Sequence, residues 1–173
     1  VDRGPQIADG LRIVRSMVEA GVAVAVMGNH ELNALAFHTP DPDAPGAHLR
    51  PHTEKHVRQH AATLRQLSAG ELASYLAWFR TLPLWLELEG LRVVHACWDE
   101  AACVTVGTAD APANAGFVEA ACLDSGPLFT AVGTLLKGKE AALPSGTQRL
   151  DGDGNPRSQV RLRWYAGTDG QTY

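Results

Sequence analysis

The most informative stretch of the chain is residues 22–31, which read Val-Ala-Val-Ala-Val-Met-Gly-Asn-His-Glu. The six apolar residues, three of them β-branched, predict a short buried strand of a parallel sheet over 22–27. Polar residues then form a turn, and helical spacing resumes over 32–38. Because open α/β sheets bind their ligands at the carboxyl ends of strands, this turn is the first candidate for a functional site.

Helical spacing of apolar residues predicts the other helices, which cover residues 8–20, 53–67, 69–81, 113–123 and 127–137. Ser68 and Glu71 are spaced as a capping box at the start of the third of these. Two strands, 85–88 and 91–96, are joined by a tight turn at Glu89-Gly90, and a half-buried strand is expected over 160–165. The proline-rich residues 39–51 predict a loop. The chain is therefore expected to have an α/β fold.

Composition limits the possible functions. The chain has 173 residues, 45% hydrophobic and 20% charged, which is typical of one globular domain. Its net charge of −4 argues against strong nucleic-acid binding and against binding to anionic membranes. No apolar run approaches the roughly 20 residues that cross a bilayer. The three cysteines include no Cys-x-x-Cys pair, so we expect neither a disulfide framework nor a zinc ribbon, and a cytoplasmic location.

Three polar clusters lie at the ends or margins of strand-like segments. They are Asp2-Arg3-Gly4, residues 28–31, and residues 95–99, which read His-Ala-Cys-Trp-Asp. Any one of them is more simply explained as a structural hydrogen-bonding group. Together they provide a carboxylate, a guanidinium group, an amide oxygen and two imidazoles. Those groups suit metal-assisted phosphoryl chemistry, which needs oxygen and nitrogen ligands and a planar donor for phosphate.

The order of these clusters resembles that of calcineurin-like metallophosphoesterases. Val1-Asp2-Arg3-Gly4-Pro5, Gly28-Asn29-His30-Glu31 and Val93-Val94-His95-Ala96 are similar to successive signatures of that superfamily. The nearest branch is a bacterial one, similar to serine/threonine protein phosphatases and diadenosine tetraphosphatases. The resemblance implies a metallophosphoesterase-type β-sandwich flanked by helices. It also implies a single domain over residues 1–173, with a helical insertion or cap at 39–81.

The resemblance also implies a mechanism and a role for each matched residue. Two divalent metal ions, commonly manganese with iron or zinc as alternatives, would share a hydroxide that attacks phosphorus. Asn29 and His95 match ligands of the second metal. His30 matches the general acid that protonates the leaving oxygen, and Asp2 matches the carboxylate that orients it. Arg3 matches the arginine that clamps the phosphate oxygens.

Two parts of the superfamily pattern have no match in the chain. An Asp-x-His signature and a Gly-Asp pair would precede Val1, and a late histidine would follow His95, after which this sequence has none. These residues would complete both metal sites. We therefore expect an internal fragment, truncated at both ends, that binds metal weakly and catalyses poorly by itself. Glu31 is expected to orient the turn or a metal-bound water.

Other motifs have plainer interpretations. Four histidines recur at intervals of four residues: His48, His52, His56 and His60. On a helix, His56 and His60 would share a face and could bind a metal, but their basic neighbours favour a solvated face. That face would lie beside the metals and meet a polyphosphate or nucleotide. Trp78 and Phe79 are expected in the core rather than stacked on a base, and residues 151–155 form a turn rather than a calcium loop.

Several functions remain open from the sequence. The expected activity is hydrolysis of phosphate esters or phosphoanhydrides, on a phosphorylated small molecule, a nucleotide or a phosphoprotein. One alternative is a dinucleoside polyphosphate hydrolase, and another is a degenerate binding module that kept the fold and lost the metals. Among the late cations, Lys137, Arg161 and Arg163 could add a second phosphate contact, although each is more simply a surface charge.

Overall fold

The computed structural model describes residues 2–123, 125–150, 154 and 156–166. The helices within these ranges are α1 (Ile7–Glu19), α2 (Asn29–His38), α3 (Glu54–Gln66), α4 (Ala69–Phe79), α5 (Glu100–Val106), α6 (Phe117–Leu123) and α7 (Pro127–Lys137). The strands are β1 (Trp85–Leu88), β2 (Leu91–Val94), β3 (Glu140–Ala142), β4 (Arg149–Leu150), β5 (Pro156–Arg157) and β6 (Gln159–Arg161). They form three antiparallel pairs, β1 with β2, β3 with β6 and β4 with β5.

Local sequence signals account for much of this structure. The predicted helices α1, α3, α4 and α7 and the β1–β2 hairpin are confirmed. Ser68 and Glu71 exchange side-chain to backbone hydrogen bonds at the start of α4, as the capping box predicts. Pro127 occupies the first turn of α7, where a missing N–H costs nothing. These elements begin where their own residues satisfy the free backbone groups.

The prediction of a strand over residues 22–27 is wrong. No described strand forms a ladder with this segment, although the Met27 N–H donates to the Pro83 carbonyl at 2.8 Å. Val22 and Val24 are 71% and 65% exposed. A β-rich run becomes a strand only where a neighbour takes up its backbone groups. The described residues form a mixed α/β structure with small antiparallel sheets, and a β-sandwich is not shown.

Other boundaries also differ from the sequence expectations. Helix α2 begins at Asn29 rather than at residue 32, so the polar turn forms its first residues. Helix α5 was not predicted, and α6 begins at Phe117 because residues 111–113 form a separate 3₁₀ turn. The last predicted strand ends at Arg161, and residues 164–166 form another 3₁₀ turn. The turn expected at 151–155 lies almost entirely outside the described residues.

The core lies where α2, α4, α6 and α7 meet. Its fully buried side chains include Met27, Leu35, Phe79, Leu84, Val118, Leu135 and Leu136. Trp78 and Phe79 belong to this core, as predicted, and Cys97 is also fully buried. The Ala96 N–H donates to the Leu135 carbonyl at 3.0 Å, which ties the residues after β2 to α7. Core packing therefore holds the start of α2 close to His95.

The segment 39–81 contacts the rest of the chain through both of its helices. Helix α3 packs against α1, and α4 packs against α2. The loop before α3 is joined to α2 by the Arg50 N–H, which donates to the Ala36 carbonyl at 3.0 Å. That this segment is a helical insertion or cap within the domain stays a prediction. No described helix is long and apolar enough to cross a membrane.

Candidate functional site

Asp2 and His30 form the first pair of predicted site residues that lie in contact. Nδ1 of His30 is 2.9 Å from Oδ2 of Asp2. Because an ionised carboxylate only accepts hydrogen bonds, Nδ1 carries the proton and Nε2 is left for other partners. The side chain of His30 is 32% exposed, whereas that of Asp2 is 7% exposed. A buried carboxylate and a ring that reaches solvent are the arrangement that a proton donor needs.

The carboxylate of Asp2 has two further partners, both on α3. Its Oδ1 accepts from Nδ1 of His60 at 2.7 Å and from Oγ1 of Thr63 at 2.9 Å. Burial by itself raises the pKa of Asp2. The hydrogen bonds from His30, His60 and Thr63 outweigh burial and hold this pKa well below its ordinary value of 3.8. Asp2 is therefore ionised at neutral pH.

Asp2 also has an unusual backbone conformation. Its φ is +68°, the only positive value among the described non-glycine residues. Aspartate tolerates this left-handed region better than most residues, but the conformation persists only where other contacts hold it. The Asp2 N–H donates to Oγ1 of Thr63 at 3.0 Å, so Thr63 binds both the backbone and the side chain of Asp2.

Asn29 and His95 form the second pair. Oδ1 of Asn29 and Nε2 of His95 are 3.0 Å apart, although the two residues are 66 positions apart in sequence. Two ligand atoms that lie about 2.1 Å from one ion at a right angle are separated by about 3 Å. Burial and the nearby His30 and Arg161 lower the pKa of His95, against the raising effect of Glu31. Its ring is then neutral, which is the form that binds metals.

Gly28 makes room for this pair. A Cβ at Gly28 would lie 2.6 Å from Oε2 of Glu31, 3.0 Å from Cε1 of His95 and 3.1 Å from its Nδ1. The Gly28 N–H donates to Oε2 of Glu31 at 3.0 Å, which caps α2. Glu31 therefore orients the turn, as one of the two sequence interpretations had it. A glycine at this position allows His95 to approach the start of α2.

The donor chemistry of Asn29 and His95 fits a divalent metal, but it is incomplete in the described residues. An amide oxygen and an imidazole nitrogen suit manganese, iron and zinc alike. Among the residues that the structure describes, no group of three or more His, Cys, Asp or Glu side chains could hold an ion. Asn29 and His95 are therefore two candidate ligands of one ion.

The hydrogen bonds that form the two pairs do not involve Arg3. Arg3 is exposed and lines a depression with Glu31, beside apolar side chains of α1 and α4 such as Leu11 and Phe79. The phosphate-clamping role of Arg3 stays a prediction drawn from the resemblance alone. Asp2, His30, Asn29 and His95 all lie around the first turn of α2 and the end of β2.

A basic groove opens beside Asn29. We use this name for a depression of about 1000 Å³ that includes Asn29 in its lining together with six cationic side chains and one carboxylate, Glu140. The cations are Arg50, Lys55, Lys137, Arg149, Arg157 and Arg161. Two of the late cations considered from the sequence, Lys137 and Arg161, therefore lie together, whereas Arg163 does not line the groove. Such a concentration of positive charge, on a chain with net charge −4, favours a polyanionic ligand.

The sequence interpretation of the four spaced histidines is partly wrong. His60 is 3% exposed and binds Asp2, so it does not belong to a solvated face. Nε2 of His52 donates to the Phe37 carbonyl, and the His52 ring stacks on both Phe37 and His48. Basic neighbours along the chain favour a solvated face, but the burial of His60 depends on which residues pack against its side of α3. The only available signal was that His60 and Thr63 are three residues apart and so share a helical face.

Comparison with known proteins gives two partial similarities. Over 97 residues, 56% of this chain and 30% of the relative, the chain is 38% identical to a symmetrical bis(5'-nucleosyl)-tetraphosphatase from Aromatoleum aromaticum. Over 84 residues, 49% of this chain and 26% of the relative, it is 34% identical to a protein of the same name from Thioalkalivibrio sulfidiphilus. The chain thus spans less than a third of either relative. No family model and no solved structure matches it.

These similarities support the resemblance at the level of the superfamily. Both relatives carry the name of a hydrolase that acts on a nucleotide phosphoanhydride. The roles of the individual residues and the identity of the metals stay predictions from the resemblance.

Proposed function

We propose that the protein that contains this chain is a metal-dependent phosphoanhydride hydrolase whose preferred substrates are dinucleoside polyphosphates. The observation that carries the proposal is the basic groove beside Asn29. A single phosphate needs few cations, whereas six of them suit a ligand with several phosphates in a row. The names of the two relatives support the same substrate class.

The residues of this chain divide the work of such a reaction. Water attacks one phosphorus, the bond to the bridging oxygen breaks, and the departing phosphate leaves with that oxygen. Nε2 of His30 donates a proton to it, while Asp2 holds Nδ1 and keeps the ring oriented. When bound, divalent ions polarise the phosphoryl group and make water a better nucleophile. Oδ1 of Asn29 and Nε2 of His95 are the atoms of this chain that would hold one ion.

The proposal is tested with the complete protein and three substrates. Diadenosine tetraphosphate, a serine phosphopeptide and p-nitrophenyl phosphate are assayed with manganese, then with iron and zinc. We expect the highest kcat/KM with the tetraphosphate, and two nucleoside diphosphates as products of a symmetrical cut. Faster hydrolysis of the phosphopeptide would instead identify a protein phosphatase. Tight binding of the tetraphosphate with no turnover under any of these metals would identify the degenerate binding module.

A further inference from the structure

Helix α3 holds the carboxylate of Asp2 through the oxygen that His30 does not use. His60 and Thr63 bind Oδ1, at 2.7 and 2.9 Å, and His30 binds Oδ2. The partners of Asp2 differ in how far their side chains are exposed to solvent. His60 and Thr63 are 3% and 1% exposed and cannot reach a ligand in the groove, whereas His30 is 32% exposed. Any effect of His60 and Thr63 on a reaction is therefore indirect, and Asp2 is the contact that links them to His30.

The same face of α3 also holds the backbone around Asp2. Thr63 accepts the Asp2 N–H at 3.0 Å. Gln66, three residues further along the helix, accepts the Ile7 N–H at 2.7 Å and donates to the Gly4 carbonyl at 3.2 Å. These contacts hold Asp2, whose φ is positive, and the residues that follow it. Because the carboxylate and the backbone are both held by one rigid helix, Asp2 has little freedom to turn away from His30.

The far side of His60 is held as well. Its Nε2 lies 3.1 Å from Nε2 of His38, at the end of α2, and its ring packs near Phe37. Helix α2 also carries His30 in its first turn. His60 thus connects the last residue of α2 to the carboxylate that contacts the first turn of the same helix.

We propose that His60 and Thr63 are positioning residues that orient Asp2 so that Oδ2 holds Nδ1 of His30 in place for proton transfer. This inference rests on the proposed function only in that it assigns His30 to proton donation. It does not depend on the identity of the substrate. It also gives α3, in the segment expected to be a cap, an influence on the chemistry through Asp2.

Matched substitutions separate positioning from packing. Thr63→Val keeps the shape of the side chain and removes both hydrogen bonds, while Thr63→Ser keeps the hydroxyl. His60→Leu removes the donor to Asp2, while His60→Asn places an amide donor close to the position of Nδ1 and loses the contact to His38. Leu64→Ala is the control, because Leu64 is apolar and 39% exposed on the same helix.

The first readout is the dependence of kcat on the leaving group in the complete protein with metal. Phenyl phosphate needs a proton on its leaving oxygen, whereas p-nitrophenyl phosphate hardly does. We expect Thr63→Val and His60→Leu to lower kcat on phenyl phosphate about 10- to 100-fold with little change in KM. On p-nitrophenyl phosphate the loss should be at most threefold. Thr63→Ser and His60→Asn should recover most of the rate.

The second readout does not need activity, so it still decides the inference if the proposed function fails. The Nδ1 proton of His30, held by a carboxylate, gives a low-field proton resonance in the NMR spectrum, which His30→Gln identifies. Thr63→Val and His60→Leu should shift or broaden it, and Thr63→Ser and Leu64→Ala should leave it in place. An unchanged resonance in both disruptive variants would overturn the inference. So would equal losses of rate on the two aryl phosphates.

Discussion

The environment of Asp2 and the basic groove are built in opposite ways. Asp2 is 7% exposed, and both of its carboxylate oxygens are hydrogen-bonded at 2.7–2.9 Å. The groove is open, and one of its cations, Arg50, donates to the neutral amides of Asn33 and Gln59. A buried, saturated group has one geometry and is costly to disturb, whereas exposed charges can be lost one at a time.

This difference indicates which property each region controls. Proton transfer depends on the orientation of His30, which the contacts of Asp2 determine. Ligand affinity depends on the total charge of the groove, to which each cation contributes a small part. Substitutions around Asp2 should therefore change kcat and stability, and substitutions in the groove should change KM and salt dependence.

The largest effect is expected for His30. In the His30→Gln variant of the complete protein, kcat on phenyl phosphate should fall about 100- to 10,000-fold because no proton is supplied to the leaving oxygen. The KM should change little, and p-nitrophenyl phosphate should be affected far less. Steady-state kinetics on the two esters measure this. Equal losses of kcat on both esters would mean that His30 does not donate the proton. The assignment of proton transfer to the residues around Asp2 would then be wrong.

The next effect concerns stability and its pH dependence. Asp2→Asn leaves buried donors without a charged acceptor, so it should lower the free energy of unfolding by about 2 kcal/mol at pH 7. Since the folded-state pKa of Asp2 is lower than its unfolded value of 3.8, the contribution is complete above that value and is lost as the pH falls. The difference in the free energy of unfolding between wild type and Asp2→Asn should therefore shrink by about 1 kcal/mol between pH 5 and pH 3.

Urea unfolding at pH 7, 5 and 3 measures this difference. Asp9→Asn is the control, since Asp9 is an exposed partner of Arg12 on α1 and should change stability by less than about 0.5 kcal/mol. A constant difference between wild type and Asp2→Asn across this pH range would show that the carboxylate charge does not stabilise the fold.

A third effect concerns the pair formed by Asn29 and His95. Gly28→Ala places a Cβ 2.6 Å from Oε2 of Glu31 and 3.0 Å from the His95 ring, so the Glu31 side chain must move and His95 must shift by a few tenths of an ångström. We expect about 10-fold weaker binding of manganese, measured by calorimetry on the complete protein. Gly133→Ala is the matched control, because a Cβ there meets nothing within 4 Å. Equal affinities in the two variants would argue against a metal at this pair.

The smallest effect is expected in the groove. Replacing Lys55 and Arg149 together with glutamine should raise the KM for diadenosine tetraphosphate about 3- to 10-fold and leave its kcat unchanged. The salt dependence of KM should become shallower, because fewer charges attract the ligand. Arg12→Gln, on α1 and away from the groove, is the control. A change in kcat without a change in KM would contradict the division between the two regions.

Much of the local structure and part of the site could be predicted from the sequence. The helices α1, α3, α4 and α7 follow from apolar spacing and from caps such as Ser68 and Glu71. The pairing of Asp2 with His30, and of Asn29 with His95, was expected only through the resemblance, since neither pair is close along the chain. The strand at 22–27 could not be decided locally, because a strand requires a partner as well as a β-rich sequence.

The sequence by itself determined which chemical groups the chain carries and where its capped helices begin, because caps and apolar spacing act between residues a few positions apart. Only the tertiary structure decided that His60 is buried against Asp2, since the two are 58 residues apart and meet through the packing of α3 on α1. It likewise gathered cations from α3, α7 and the late strands into one groove. Such sites depend on long-range packing, which no local pattern records.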